Sequence, residues 1–402
     1  MTGDGVYTYE LKGARSFGLL KVLQKRLDTL TRRPSRDEIR RKDLCRDLNG
    51  DGREDLLIPE ASGLAIYLNE QGRFGERVPL FVPPSATISP GSDRLSSSSR
   101  TVYWYSNPTV ADFDQDGRGD LLLPVGDRLK VFKQRAGASP FAARPDLSLA
   151  VPFQKQLAAG QRPDFDLDVT MPLRLTDLDA DGFVDMVSTH IGQGLTRIFM
   201  GSKTSTESLK SPRQTIRAKG VSFFSFTIDL NGDGLKDLVI PRTDKIGIWF
   251  LVKVLVTRKV SVEMLTFYQR AEGAEPFPRE PDFVGEVDIP VLLRSGGERM
   301  SFGTSFLASI SGDYNGDGRN DILYRDDDGA LGLFFAKPGR EGYPDDASLT
   351  VPMKDPDAYR FIMADTPDMD GDRRSDIILK YYSWDRTQDR LSVYLSSDRP
   401  KR

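Results

Sequence analysis

The chain has 402 residues, 38% hydrophobic and 29% charged, with a formal charge of −3 and no apolar run near the roughly 18 residues that a membrane span needs. A single cysteine, Cys45, excludes an internal disulfide, and a single histidine, His190, excludes a two-histidine mechanism or a His-rich metal site. Neither a nucleophile elbow nor a Walker loop is present, so enzymatic activity is not expected; a nucleic-acid partner is not expected either.

The first predicted element is a strand over Gly5–Gly13 (GVYTYELKG), where polar and apolar residues alternate. From Ala14 to Thr31, Leu19, Leu20, Leu23, Leu27 and Leu30 follow the spacing of an amphipathic helix. This predicts a helical insertion over 14–31 that caps one face of the domain or docks a partner. Cys45 lies on the strand that follows and reads as a small buried residue.

That strand enters a nine-residue loop, Asp47–Asp55 (DLNGDGRED), which recurs at Asp112–Asp120 (DFDQDGRGD), Asp177–Asp185 (DLDADGFVD), Asp229–Asp237 (DLNGDGLKD), Asp313–Asp321 (DYNGDGRND) and Asp368–Asp376 (DMDGDRRSD). The pattern is Asp-x-Asp/Asn-x-Asp-Gly-x-x-Asp, broken only by Arg373 at the sixth position of the last copy. Oxygen donors on alternate residues of a tight loop point inward, and a hard cation taking six to eight oxygens at about 2.3–2.6 Å, calcium above all, suits them. Glycine at position six fits a left-handed turn in which a Cβ costs roughly 1–2 kcal/mol.

An EF-hand would place Glu at position twelve, but Ile58, Leu123, Ser188, Ile240, Tyr324 and Leu379 stand there. The residues from the last acid onward (DLLIPE, DLLLPV, DMVSTH, DLVIPR, DILYRD, DIILKY) read as a short buried strand. The loop therefore joins two strands.

Six such loops, each entering a strand, resemble the calcium loops of FG-GAP/VCBS repeats, the units of integrin-α-like β-propellers, from about Asp43 to the C-terminus. The family's Gly-Ala-Pro is replaced by Ile-Pro-Glu, Leu-Pro-Val and Ile-Pro-Arg, and Phe-Gly survives at Phe74-Gly75 and Phe302-Gly303. The resemblance implies an all-β, single-domain propeller over 1–402 with four-stranded blades. Six blades are expected, at about 43–100, 101–160, 161–218, 219–300, 301–355 and 356–402 plus 5–13, with seven as the alternative. It also implies ligation by the side chains of positions one, three, five and nine and by the carbonyl of position seven. These are Asp47, Asn49, Asp51, Arg53 and Asp55; Asp112, Asp114, Asp116, Arg118 and Asp120; Asp177, Asp179, Asp181, Phe183 and Asp185; Asp229, Asn231, Asp233, Leu235 and Asp237; Asp313, Asn315, Asp317, Arg319 and Asp321; and Asp368, Asp370, Asp372, Arg374 and Asp376. Up to six calcium ions are expected, the one at Asp368–Asp376 bound most weakly because Arg373 carries the backbone strain.

Successive loops start 65, 65, 52, 84 and 55 residues apart, a period suited to one four-stranded blade. The 81 residues from Asp368 through the C-terminus and round to Asp47 hold one blade with an insertion, and the strand at 5–13 is expected to close the ring. An apolar-x-Val/Ile-Pro signature at Leu80–Pro83, Leu149–Pro152, Val287–Pro290 and Leu349–Pro352 marks the outermost strand of a blade, because proline cannot donate to a ladder. Ile246–Tyr268 is too long for one strand and reads as an extended hairpin projecting from the fourth blade.

These features predict a non-enzymatic protein-interaction, adhesion or scaffolding module stapled by calcium. An extracellular, cell-surface or periplasmic location is expected, because extracellular modules bind calcium at roughly 10⁻⁴–10⁻³ M. MTGDGVYTYELKG lacks a leader pattern, which implies a leader removed or replaced. Of the 59 acids 21 are candidate ligands, and filling six loops would turn −3 into about +9. A protein partner or larger assembly is expected, and a basic surface also admits an acidic glycan or another anionic surface. A glycan-binding propeller is the first alternative and a polysaccharide-active enzyme the second. Trp104, Trp249 and Trp384 do not fall in register with the loops, which argues against one sugar site per blade.

Overall fold

The computed structural model describes residues 6–11, 17–23, 45–90, 99–137, 140–151, 173–202, 206–222, 224–245, 247–271, 273–296, 299–303, 308–325, 330–339, 341–353, 355–384 and 388–397. Five four-stranded antiparallel sheets and one three-stranded sheet follow one another along these residues, each with its strands in chain order.

The first sheet comprises Cys45–Arg46, Asp55–Glu60, Gly63–Tyr67 and Val78–Leu80. The second is Thr109–Ala111, Asp120–Val125, Arg128–Phe132 and Leu147–Ala150, and the third Arg174–Thr176, Asp185–His190, Leu195–Phe199 and Gln214–Arg217. The fourth is Phe226–Ile228, Asp237–Arg242, Lys259–Phe267 and Phe283–Pro290, and the fifth Ala308–Gly312, Asp321–Arg325, Ala330–Phe334 and Leu349–Pro352. Phe361–Asp365, Ile377–Tyr382 and Arg390–Tyr394 form the sixth. Each acidic loop joins the first two strands of a sheet, and the apolar-x-Val/Ile-Pro segments fall on or just after the fourth strand of the first, second, fourth and fifth, an edge where a missing donor costs nothing.

The second strands of the second, third and fourth sheets are apolar on both faces because a sheet lies against each face. Leu121 and Leu123 pack with Leu57, Ile66 and Leu80 of the first sheet, whereas Leu122 between them packs with Met186 and Phe199 of the third. Leu238 and Ile240 likewise face the third sheet, and Val239 joins the group with Ile310 at the fifth. The fifth and sixth sheets meet through Leu323, Leu333, Ile377, Leu379 and Tyr381. Each fully buried Leu or Ile contributes about 1.5–3 kcal/mol, so the interfaces between sheets are the core.

Antiparallel order puts the acidic loops and the turns between third and fourth strands at one end of every sheet. The turns between second and third strands, and the crossings to the next sheet, lie at the other. Added hairpins at Ser85–Pro90/Ser99–Trp104 and Leu292–Gly296/Arg299–Gly303 both belong to that second end.

Four expectations need correction. Phe17–Leu23 is a strand and not part of a helix over 14–31, whose remaining residues lie outside those described; FGLLKVL is a short apolar run that periodicity alone does not assign. Val6–Leu11 pairs with Phe17–Leu23 in a separate two-stranded sheet and not with the sixth sheet, because a short connection makes the local pairing the easier one to close. The hairpin expected over 246–268 is instead a helix, α1 (Ile248–Thr257), followed by the nine-residue third strand of the fourth sheet. Cys45 is exposed, since it opens a two-residue strand with a neighbour on one side only.

Candidate metal centre

Each loop is built from the same four sets of hydrogen bonds. The position-nine carboxylates, Asp55, Asp120, Asp185, Asp237, Asp321 and Asp376, are all 0% exposed. Their Oδ2 atoms accept the position-two N–H (Leu48, Phe113, Leu178, Leu230, Tyr314, Met369) at 2.7–3.1 Å. Their Oδ1 atoms accept the N–H of the residue two beyond the third strand (Asn69, Gln134, Gly201, Gln269, Ala336, Ser396) at 2.6–2.9 Å. One aspartate thereby ties loop, second strand and third strand together. Position one closes the turn: its Oδ2 accepts the position-six N–H at 2.8–3.0 Å in all six loops. Position five accepts the position-seven N–H through Oδ1 over the same range.

Two residues per loop are left-handed. Position six has φ of 80–86° at Gly52, Gly117, Gly182, Gly234 and Gly318, and 68° at Arg373, which makes the same bond to Asp368 as the glycines make to theirs. The frame beginning at Asp368 and the strain on Arg373 are therefore as the sequence implied. Position four is also left-handed, at Gly50, Gln115, Ala180, Gly232, Gly316 and Gly371. The glycine at position four of four loops was the available signal for this second turn.

Burial works against charge here. It pushes the carboxyl of Asp185 up to about 7 and that of Asp237 up to about 6, and raises Asp55, Asp120 and Asp321 in the same direction. Arginine at position seven answers part of this in three loops. Arg53 and Arg319 donate from Nη2 to Oδ2 of Asp51 (2.8 Å) and Asp317 (2.5 Å), and Arg118 donates to Asp116. Their Nε atoms donate to the carbonyls of Asn69, Ala336 and Gln134 at 3.1–3.3 Å. Sequence reading assigned these arginines a main-chain carbonyl and missed the side chain, although the repeated Gly-Arg pair was visible.

The third loop has no such cation, since Phe183 stands at its position seven. Asp177 Oδ1 and Asp179 Oδ1 are buried there without a hydrogen-bond partner, and burial, with Asp181 beside it, raises the Asp179 carboxyl. Ligand atoms of Asp177, Asp179 and Asp185 lie within 4.8 Å of one another, as do those of Asp112, Asp114 and Asp120 and of Asp368, Asp370 and Asp376. All-oxygen donors with two buried orphans fit a hard divalent cation. A bound ion would neutralise the converging carboxylates and fix the turn.

The loops are linked in chain order. Gln134 Nε2 donates to Asn49 O (2.9 Å), Gln115 Nε2 to Gly182 O (2.7 Å), Lys236 N to Leu178 O (2.8 Å), Asn320 Nδ2 to Asp229 O (2.8 Å) and Ser375 N to Asp313 O (2.6 Å). First to sixth, they form one hydrogen-bonded line. His190, buried at 4% exposure, ends the second strand of the third sheet, away from the loops.

Sheets of this kind, entered through linked acidic loops, define an all-β repeat protein with candidate cation sites at one end. Residues 47–123, which hold the first two loops, match the FG-GAP-like repeat, so the chain carries the repeat that its loops resemble. No curated protein matches the chain. Among solved structures, one concerned with specific recognition of non-reducing terminal N-acetylglucosamine by an Agrocybe aegerita lectin is 16% identical, with 88% of this chain and 79% of that one covered and a TM-score of 0.48. Among the described residues no helix is long and apolar enough to cross a membrane.

Proposed function

We propose that the chain is a calcium-stapled propeller of six blades that works outside the cytoplasm as a non-enzymatic interaction or scaffolding module. The observation that carries this reading is the third loop, where two buried carboxylate oxygens lack any partner although the position-one, position-five and position-nine carboxylates each accept backbone N–H groups. Calcium is the ion that the loops suit, with up to six bound and the loop at Asp368–Asp376 the weakest. The ion's role is structural: it fixes the turn between the two inner strands, and the hydrogen-bonded line carries that rigidity from blade to blade.

The proposed blades are those of the sequence reading, with the hairpin of Val6–Leu11 and Phe17–Leu23 at the seam in place of a single closing strand. Strand Phe17–Leu23 approaches Arg73–Phe74 beside the first sheet, which supports that position.

Isothermal titration of chelator-treated protein with calcium tests the site assignment. Asp177→Asn/Asp179→Asn should remove one binding event and leave the others, whereas an unchanged isotherm would contradict it. Incubation with acidic polysaccharides should release no new reducing or unsaturated ends; their release would replace the scaffold reading with an enzymatic one.

A further inference from the structure

We propose that helix α1 docks the protein onto an anionic lipid surface. The helix is apolar apart from Lys253 and the terminal Thr257, yet it stands outside the sheets: Trp249 is 85% exposed, Val256 77%, Leu255 54% and Val252 43%. Trp249, Val252 and Val256 follow the i, i+3, i+7 spacing, so with Leu255 they form one ridge. Removing such side chains from water is favourable, and the fold leaves that unused here.

The charges around the ridge select its occupant. Residues 245–262 (KIGIWFLVKVLVTRKVSV) contain four bases and no acid. Lys219, Lys245, Lys253 and Arg258 are exposed at this end of the fourth sheet. Nearby acids are engaged: Glu263 by Arg242, and Asp288 by Ser261 Oγ at 2.7 Å and by Lys259 at 3.5 Å. Asp244 and Glu286 are the exposed acids that remain nearby, and the four exposed bases outnumber them, so the rim is positive.

An apolar ridge with a tryptophan and a basic rim is complementary to anionic headgroups over an acyl layer, where each base near the surface adds to the attraction. A second copy of the chain fits less well, because a two-fold contact would set the same cations against each other. Ten residues give a helix of about 15 Å, half of a hydrocarbon core of about 30 Å, so α1 lies in the interface and does not span. The helix connects the second and third strands and therefore sits at the end opposite the acidic loops, which stay clear of the surface.

The test is sedimentation of the full calcium-loaded chain with vesicles of mixed phosphatidylglycerol and phosphatidylcholine, and with phosphatidylcholine alone. Binding to the mixed vesicles only is expected. Trp249→Ser/Val256→Ser and Lys253→Glu/Arg258→Glu should each weaken it by roughly tenfold or more, with unchanged melting because these side chains are exposed. No binding to the mixed vesicles, or binding that neither variant weakens, overturns the proposal. So does a dimer of the parent chain that the Trp249→Ser/Val256→Ser variant dissolves, since the ridge would then belong to a second copy.

Discussion

The position-nine aspartates carry the local architecture. Asp321 accepts two backbone N–H groups, from Tyr314 at 2.8 Å and Ala336 at 2.9 Å, in a fully buried place. Asp321→Ala leaves both donors unsatisfied, and each costs about 1–3 kcal/mol; equilibrium denaturation should show a loss of about 2–4 kcal/mol, and a change below about 0.5 kcal/mol would contradict the role. Arg373 holds φ 68°, a conformation that costs a residue with a Cβ about 1–2 kcal/mol. Arg373→Gly should stabilise the protein by about 0.5–1 kcal/mol after the added freedom of the unfolded chain is counted, and should tighten calcium at the last loop. Destabilisation by this change would mean that the Arg373 side chain matters more than its backbone. The sequence showed these residues directly, because alternate acids and glycine have few uses other than a tight oxygen-lined turn. It did not show that one oxygen of Asp51, Asp116 and Asp317 is taken by a neighbouring guanidinium, which depends on where a flexible side chain comes to rest.

At the level of strands, proline, glycine and two-faced apolar runs were legible, and the irregular elements were not. Gly63 has φ +149°, and a Cβ there would stand 2.1 Å from Leu80 O, so the first sheet closes against bare backbone. Gly63→Ala should cost more than about 1 kcal/mol in denaturant unfolding, and a neutral result would show that the outer strand can move aside. The helix α1 was misread because Ile, Val, Trp and Phe favour strands and IWFLVKVLV has no polar face to set a period. Its neighbour Lys259–Phe267 is a strand because pairing with Asp237–Arg242 and Phe283–Pro290 satisfies its backbone. The N-terminal segment failed for a related reason: Leu19, Leu20 and Leu23 suit either period, and the hairpin partner Val6–Leu11 decided between them.

For the whole molecule, repeat spacing located the sheets, but spacing alone says nothing about how the last meets the first. The sixth sheet buries Ile377, Leu379 and Tyr381 and leaves Phe361, Met363, Leu391 and Val393 40–62% exposed on its other face. If the ring closes as proposed, Leu391→Ser/Val393→Ser should cost about 2 kcal/mol or more, from apolar surface that closure covers. A cost under about 0.5 kcal/mol would favour an open arc. The central claim is that cations staple the six linked loops into one cooperative unit, and metal binding of this kind is coupled to folding. Thermal melting with calcium and with excess chelator, paired with ion counting by native mass spectrometry, tests it most directly. A large calcium-dependent rise in melting temperature with five or six ions bound is the predicted result; unchanged melting with no ion bound would mean that hydrogen bonds alone hold the loops, and would contradict the account.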